Sequence, residues 1–435
     1  MRLLLRCVTA VCVCLLAATP AWAQNTGGLP GPDHAVAKKA YEQAARVIVH
    51  GDVVHYQFDV PVGPGPFDVI RMHRVVKEVS PGRPAKKMEG ILLLPGLPQL
   101  FEPIFMSEAA PSVPPDQGSV ALFLASSGVD VWGMDYGHSF IPYPTTDFIF
   151  LKEWGVDKDV AFTHIALSIA RYLRATSEQG NGPIHLLGFS YGGFLVYAAA
   201  AEDTQFPGNL RNIKGIIPVD GGSFKQPMGS TAQINSCNTA QSTLATLDAG
   251  TYHFDSSSSH LRARAALDYP DTPNPAAAGA SAPFPAFPAY TFTNYQYQLV
   301  NGVRTKFFAG TYTVSPPSVT LFFTSGYRFV SLGTTTPPYY PLRLTLDGAA
   351  SRCGGDLYPV AFDDHLGEVD VPILYIARQD TGFYTTTLTN SSDVTKMTVN
   401  PTLDPSLYGH ADFMLANNGA SQIWQKILDW IQAHR

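Results

Sequence analysis

The chain has 435 residues, enough for one large domain or two to three small ones. Charged residues make up 15% against a usual share of about 25%, and 45% are apolar, which excludes a chain too polar to fold. A formal net charge of −6 with no basic cluster excludes the positive footprint that a nucleic-acid partner demands.

The chain opens with Arg2 and Arg6 around an apolar run from Leu3 to Ala18, followed by Pro20 and the small-x-small triplet Ala21-Trp22-Ala23. This pattern predicts a secretory signal peptide over residues 1–23, cleaved before Gln24, and a mature protein delivered to the periplasm or outside the cell. The run is shorter than the ~20 residues a membrane span needs, and no later stretch approaches that length, so no integral membrane segment is expected. Without Arg2 and Arg6 the balance becomes 27 bases to 35 acids. Three of the five cysteines leave with the leader, and the remaining pair, Cys237 and Cys353, enters an oxidising compartment, where a disulfide is the expected state and a metal site is not.

Residues 24–33 read as a leader, followed by a helix over Ala35–Val47. Two extended runs, Val53–Val60 and Phe67–Val79, flank the turn-forming segment from Pro61 to Pro66 and predict an antiparallel hairpin. From Met88 onward the pattern changes. Short continuous apolar runs at Gly90–Leu94, Val129–Met134, Pro183–Phe189, Ile213–Val219 and Pro372–Ala377 alternate with helical segments, including Val120–Ser127 and Asp157–Ser177. Apolar strands between helices predict a mostly parallel sheet buried on both faces. The alternation breaks between residues 223 and 366. Fifteen aromatic residues lie between Pro283 and Arg343, and only Asp271, Arg304, Lys306, Arg328 and Arg343 are charged between Tyr269 and Leu346, so this is an aromatic insertion and not a linker. Ile423, Trp424, Ile427, Leu428 and Ile431 form one face of a terminal helix.

The one Gly-x-Ser-x-Gly is Gly188-Phe189-Ser190-Tyr191-Gly192, with an apolar strand running in and an apolar helix running out. That setting is a nucleophile elbow, in which a tight turn lifts the serine above the sheet. A serine hydroxyl needs a base, and the base needs an orienting acid. His410, in the loop Tyr408-Gly-His-Ala-Asp-Phe413, is the expected base. Asp380, just beyond the strand Pro372–Ala377, is the expected acid, because the order Ser, acid, His suits this kind of site. Asp220, in Pro218-Val-Asp-Gly-Gly222, ends another buried strand and is the alternative acid; otherwise it caps the start of the insertion. Asp412 is expected to hold the histidine loop. His185 is expected to pair within the sheet, and His50, His55 and His73 fall in the N-terminal hairpin region. The oxyanion of the tetrahedral intermediate calls for the backbone amides of Tyr191 and of Leu97, the latter in the turn Pro95-Gly96-Leu97.

Together these residues resemble the α/β-hydrolase superfamily from about Val53 to the C-terminus. Val129-Asp-Val-Trp-Gly-Met-Asp135-Tyr and Tyr408-Gly-His410-Ala-Asp-Phe are similar to segments of its lipase/esterase branch. The resemblance implies an α/β fold with a mostly parallel eight-stranded sheet flanked by helices. It also implies a lid inserted after the sixth strand, and a Ser190–His410–Asp380 triad with Tyr191 and Leu97 as oxyanion donors. The family's His-Gly before the oxyanion residue is replaced here by Pro95-Gly96. The expected organisation is a signal peptide (1–23), a first core part (24–222), a lid (223–366) and a second core part (367–435). No cofactor or metal is expected, since no P-loop, dinucleotide glycine fingerprint or His-Glu-x-x-His occurs. The expected activity is that of a secreted serine hydrolase acting on neutral, apolar carboxylic esters. The alternatives are a peptidase or amidase on the same scaffold and a non-catalytic binding protein.

Overall fold

The computed structural model describes residues 33–86, 88–256, 297–300, 303–314, 317–354, 359–378, 382–400 and 407–435. The expected signal peptide and Asp380 lie outside them, as do the insertion aromatics from Phe284 to Tyr295.

Nine strands form one sheet: β1 (Ala45–His50), β2 (Val53–Pro61), β3 (Val69–Ser80), β4 (Glu89–Leu94), β5 (Val129–Asp135), β6 (Ile184–Phe189), β7 (Ile213–Val219), β8 (Ile373–Ala377) and β9 (Val394–Thr398). Their spatial order is β1-β2-β3-β5-β4-β6-β7-β8-β9, and a tenth, two-residue strand at Arg83–Pro84 pairs with β3. The β1-β2-β3-β5 pairings are antiparallel, and every pairing from β5 to β9 is parallel. The central strands β4, β5 and β6 are buried from Gly90 onward. This is the two-sided burial that their continuous apolar runs predict.

The helix expected over Ala35–Val47 is shorter. It occupies His34–Glu42 (α1), capped by the Asp33 carboxylate on the amides of Ala35 and Val36. The β-branched run Val47-Ile48-Val49 then joins the sheet as the outer part of β1, because branched side chains fit a pleated surface better than a helix. This strand and the Arg83–Pro84 strand bring the sheet to ten, beyond the eight expected.

Helices cover both faces: α1, α3 (Val156–Thr176) and α4 (Tyr191–Asp203) on one, α2 (Val120–Ser126) and α8 (Gln425–Ala433) on the other. The terminal face reads as expected, with Ile423, Trp424, Ile427, Leu428 and Ile431 all buried. His185 is buried in β6, packed against the Trp430 ring at 5.3 Å, and makes no side-chain hydrogen bond within the sheet among the described residues. Among the described residues no helix is long and apolar enough to cross a membrane.

Between β7 and β8 the chain forms α5 (Thr231–Asp248), α6 (Gly326–Thr335), α7 (Leu342–Cys353), two short antiparallel hairpins, and an antiparallel pairing of His253–Asp255 with Tyr339–Pro341. Cys237 in α5 and Cys353 at the end of α7 are joined by a disulfide that closes a separation of 116 residues. Closing a loop of that length removes entropy from the unfolded chain worth about 5 kcal/mol in the chain-entropy account. Cys237→Ser is therefore expected to lower the unfolding free energy by several kcal/mol in urea denaturation. An unchanged midpoint would show that the packing of α5 on α7 suffices alone.

Candidate active site

The strand-to-helix turn at Ser190 is forced by crowding. Ser190 has φ 58° and ψ −114°, a left-handed backbone that a residue with a side chain adopts only under constraint. A Cβ at Gly188 would meet the Gly192 carbonyl oxygen at 1.9 Å, and one at Gly192 would meet the Leu94 carbonyl oxygen at 2.2 Å. Glycine at both positions is thus a steric requirement. The turn is pinned by Ser190 N–H donating to Val219 O (2.9 Å), and Ser190 stands at the N-terminus of α4.

His410 arrives on the loop before Asp412, buried, with its ring 4.7 Å from that of Phe189, the residue preceding Ser190. Its Nδ1 is 2.5 Å from Asp220 Oδ2, and Nε2 makes no hydrogen bond among the described residues. The ring is therefore held as the tautomer that presents Nε2 as acceptor. The sequence reading gave the orienting role to Asp380, with Asp220 as alternative. The carboxylate on the ring is Asp220, at the end of β7, while Asp380 lies outside the described residues. The other reading of Asp220, as a cap of the insertion, does not hold, since its oxygens accept from His410 and Arg378.

Asp220 is gripped from the neighbouring strand. Its amide donates to Ile376 O at 2.7 Å, the Arg378 amide donates to Oδ1 at 3.1 Å, and Arg378 Nε donates to Oδ2 at 2.6 Å. Burial alone would raise this carboxyl, but the Arg378 guanidinium and the His410 hydrogen bond outweigh it and hold the group at about 2. Burial lowers His410, the Asp220 hydrogen bond and charge oppose that, and Arg378 lowers it further, leaving the ring below its ordinary value.

The loop after β4 closes the other side. Gly96 lies so near Ser190 that a Cβ there would meet its Cβ at 2.8 Å and Oγ at 3.3 Å. Tyr136 donates to Pro95 O at 2.9 Å, and the Phe101 amide donates to Asp135 Oδ1 at 2.6 Å, so the end of β5 brackets residues 95–101. Neither the Tyr191 amide nor the Leu97 amide has an acceptor among the described residues. Both remain available as donors. Tyr191 is anchored by its hydroxyl to Asp159 Oδ2 at 2.8 Å. Buried Gln99 carries an Oε1 beside Gly96 that has no partner among the described residues. The sequence reading missed Arg378, Asp159 and Gln99, since none belongs to a motif.

A cluster of His55, His73 and Glu102 has the residue types of a metal site. The two rings lie edge to edge, with planes 9° apart and His55 Nε2 3.0 Å from His73 Nδ1, while His73 Nε2 is 3.1 Å from Asp135 Oδ2. The facing nitrogens point at each other and not at a common centre. The cluster is a hydrogen-bonded chain supporting Asp135, and it does not fit a chelate.

No protein-family model and no curated protein sequence matches the chain. Among solved structures it is similar to the putative lipase from Sulfolobus solfataricus, at 20% identity and a TM-score of 0.61, over 91% of this chain and 100% of that one. It is also similar to the hypothetical protein PA2218 from Pseudomonas aeruginosa, at 10% identity and a TM-score of 0.49, over 89% of this chain and 96% of that one. A soluble variant of monoglyceride lipase from Saccharomyces cerevisiae follows at 12% identity and a TM-score of 0.44, over 90% and 94% of the two chains. The chain has the α/β-hydrolase fold, and lipases and esterases are among its structural neighbours.

Gly188→Ala is expected to cost at least about 3 kcal/mol, since the new methyl has no space that a side chain could yield. Gly208→Ala, where nothing lies within 4 Å, should change stability by no more than about 0.5 kcal/mol. Equal melting temperatures for the two variants would show that the turn relaxes.

Proposed function

We propose that the protein is an exported serine hydrolase that cleaves carboxylic esters of neutral, apolar substrates through an acyl-enzyme. The observation that carries this reading is a serine at φ 58° on a strand-to-helix turn, beside a buried histidine whose Nδ1 is held by a carboxylate. In this mechanism Ser190 Oγ attacks the ester carbonyl as His410 Nε2 takes its proton. Asp220 stabilises the imidazolium without taking the proton itself. The amides of Tyr191 and Leu97 receive the charge that develops on the carbonyl oxygen. His410 then returns the proton to the leaving alcohol, and water discharges the acyl-enzyme by the same route.

The preference for apolar esters rests on the insertion. Phe307 lies with its ring 5.5 Å from His410, and the segment from Tyr269 to Leu346 offers four bases and one acid, with no acidic cluster to recognise a peptide's amine. Export rests on the charged, apolar, small-residue pattern of residues 1–23 and agrees with the disulfide.

A fluorophosphonate is expected to label Ser190, and Ser190→Ala to abolish labelling. Peptide mapping to another serine would reject the assignment. Asp220→Asn should lower turnover by about 10⁴, because an amide fixes the wrong tautomer, while Asp380→Asn should lower it far less. The reverse order would return the orienting role to Asp380. Each methylene buried is worth about 0.8 kcal/mol, so lengthening the acyl chain by two carbons should raise kcat/KM by about tenfold until the pocket is full. A flat series from acetyl to octanoyl esters would remove the apolar preference and leave the triad standing.

A further inference from the structure

Arg378 stands immediately after β8, whose Ile376 pairs with Val219 of β7 next to Asp220. Its side chain and that of Asp220 are each 7% exposed. The guanidinium donates from Nε to Oδ2 of Asp220 at 2.6 Å, and His410 Nδ1 binds that same oxygen at 2.5 Å. One carboxylate oxygen thus serves two donors. In a triad the carboxylate favours the imidazolium that forms as the nucleophile is deprotonated. A permanent positive charge on the same oxygen draws away part of that stabilisation and repels the imidazolium directly.

We propose that Arg378 is a positioning residue that fixes Asp220 against His410 and keeps the imidazole neutral, and so able to act as a base, at acidic pH. This rests on the reading of His410 as the base. Asp220 and Arg378 are the charged groups that act on the ring among the described residues. Its other neighbours there are Phe189 and Phe307, and Asp412, two residues on, is spent on the amides of Gly409 and Ala309 and the hydroxyl of Thr324. The sign is fixed by the geometry. A guanidinium beside the pair disfavours the charged ring, so the proton is lost at a lower pH than in an ordinary histidine. Removing the guanidinium must move the acid limb of the rate profile upward. The grip of the Arg378 amide on Oδ1 comes from the backbone and survives any substitution of the side chain.

The test uses the full mature protein and two readouts. The first is the acid limb of kcat/KM on a chromogenic ester, which reports the free enzyme's base. The second is the pH titration of the His410 ring proton by NMR, assigned by its loss in His410→Gln, which needs no turnover. Arg378→Gln should lower the ratio of kcat/KM at pH 5 to that at pH 8 several-fold and shift the NMR midpoint upward. Arg378→Lys, which keeps the charge, should hold both near the parent. Arg378→Met keeps the apolar stem and replaces the glutamine variant if that one does not fold. Unmoved limbs in the neutral variants, a downward shift, or unfolding of both neutral variants would overturn the proposal, the last by making Arg378 a residue of stability alone. If the parent turns over no ester, the reading of the function fails while the NMR titration still decides the role of Arg378.

Discussion

Everything in the candidate site depends on how closely four pieces of backbone approach one another around Ser190. Gly188 and Gly192 face each other across the turn, Leu94 of β4 lies against Gly192, and a Cβ at Gly221 would meet the Ser190 carbonyl oxygen at 1.9 Å. No side chain beyond hydrogen fits at these contacts. The ends of β4, β6 and β7 are thereby drawn to one point, where Leu97, Tyr191 and Asp220 leave the sheet. A left-handed conformation costs on the order of 1–3 kcal/mol per residue, and both Ser190 and Asp220 adopt one, with φ 58° and 46°. The hydrogen bonds from their amides to Val219 O and Ile376 O hold the two residues in place. The paired strands therefore offset the strain of the site.

The elbow serine, the histidine loop and the fold class were legible in the sequence because each leaves a local trace. Continuous apolar runs mark buried parallel strands, and two glycines around a serine mark a turn that excludes side chains. The orienting carboxylate leaves no such trace. Asp220 and Asp380 each follow an apolar run that ends at the same edge of the sheet, and chain order alone does not separate them. The contact of Asp220 with His410 shows only in the fold, as does the role of Arg378, whose position after β8 becomes meaningful only when β7 and β8 are known to be neighbours. The first helix misled for a related reason. Val47-Ile48-Val49 continues a helical period well enough, and the pairing of Val47 with His55 on β2 overrides it.

The motif from Val129 to Tyr136 shows how a sequence pattern can shape the candidate site from outside it. Asp130, fully buried, takes both the Arg74 and the Arg174 guanidinium, which ties β5 to β3 and α3. Breaking such a buried pair by losing one partner costs far more than the pair contributes, so the arrangement persists as a unit. At the other end of the strand, Asp135 and Tyr136 hold Phe101 and Pro95, the two ends of the loop that carries Leu97. One strand thus sets both the sheet register and the place of the loop that carries Leu97.

The insertion's composition has a second explanation besides substrate binding. Phe308 is buried against the histidine loop, Phe323 packs on Tyr408, and Ala411 N–H donates to Phe307 O at 2.8 Å. Asp412 reaches back to the Ala309 amide and the Thr324 hydroxyl. Two of the segment's charges, Arg328 and Arg343, are spent on attachment. Arg328 is buried and donates to the carbonyls of Ser107, Glu108, Gly118 and Leu415, and Arg343 pairs with Asp347, which in turn accepts from the Val156 amide at the start of α3. Withdrawing this guanidinium would leave those carbonyls without their donor, which ties α6 to the core at Arg328. Residues 307–324 and α6 therefore belong to the wall that positions His410.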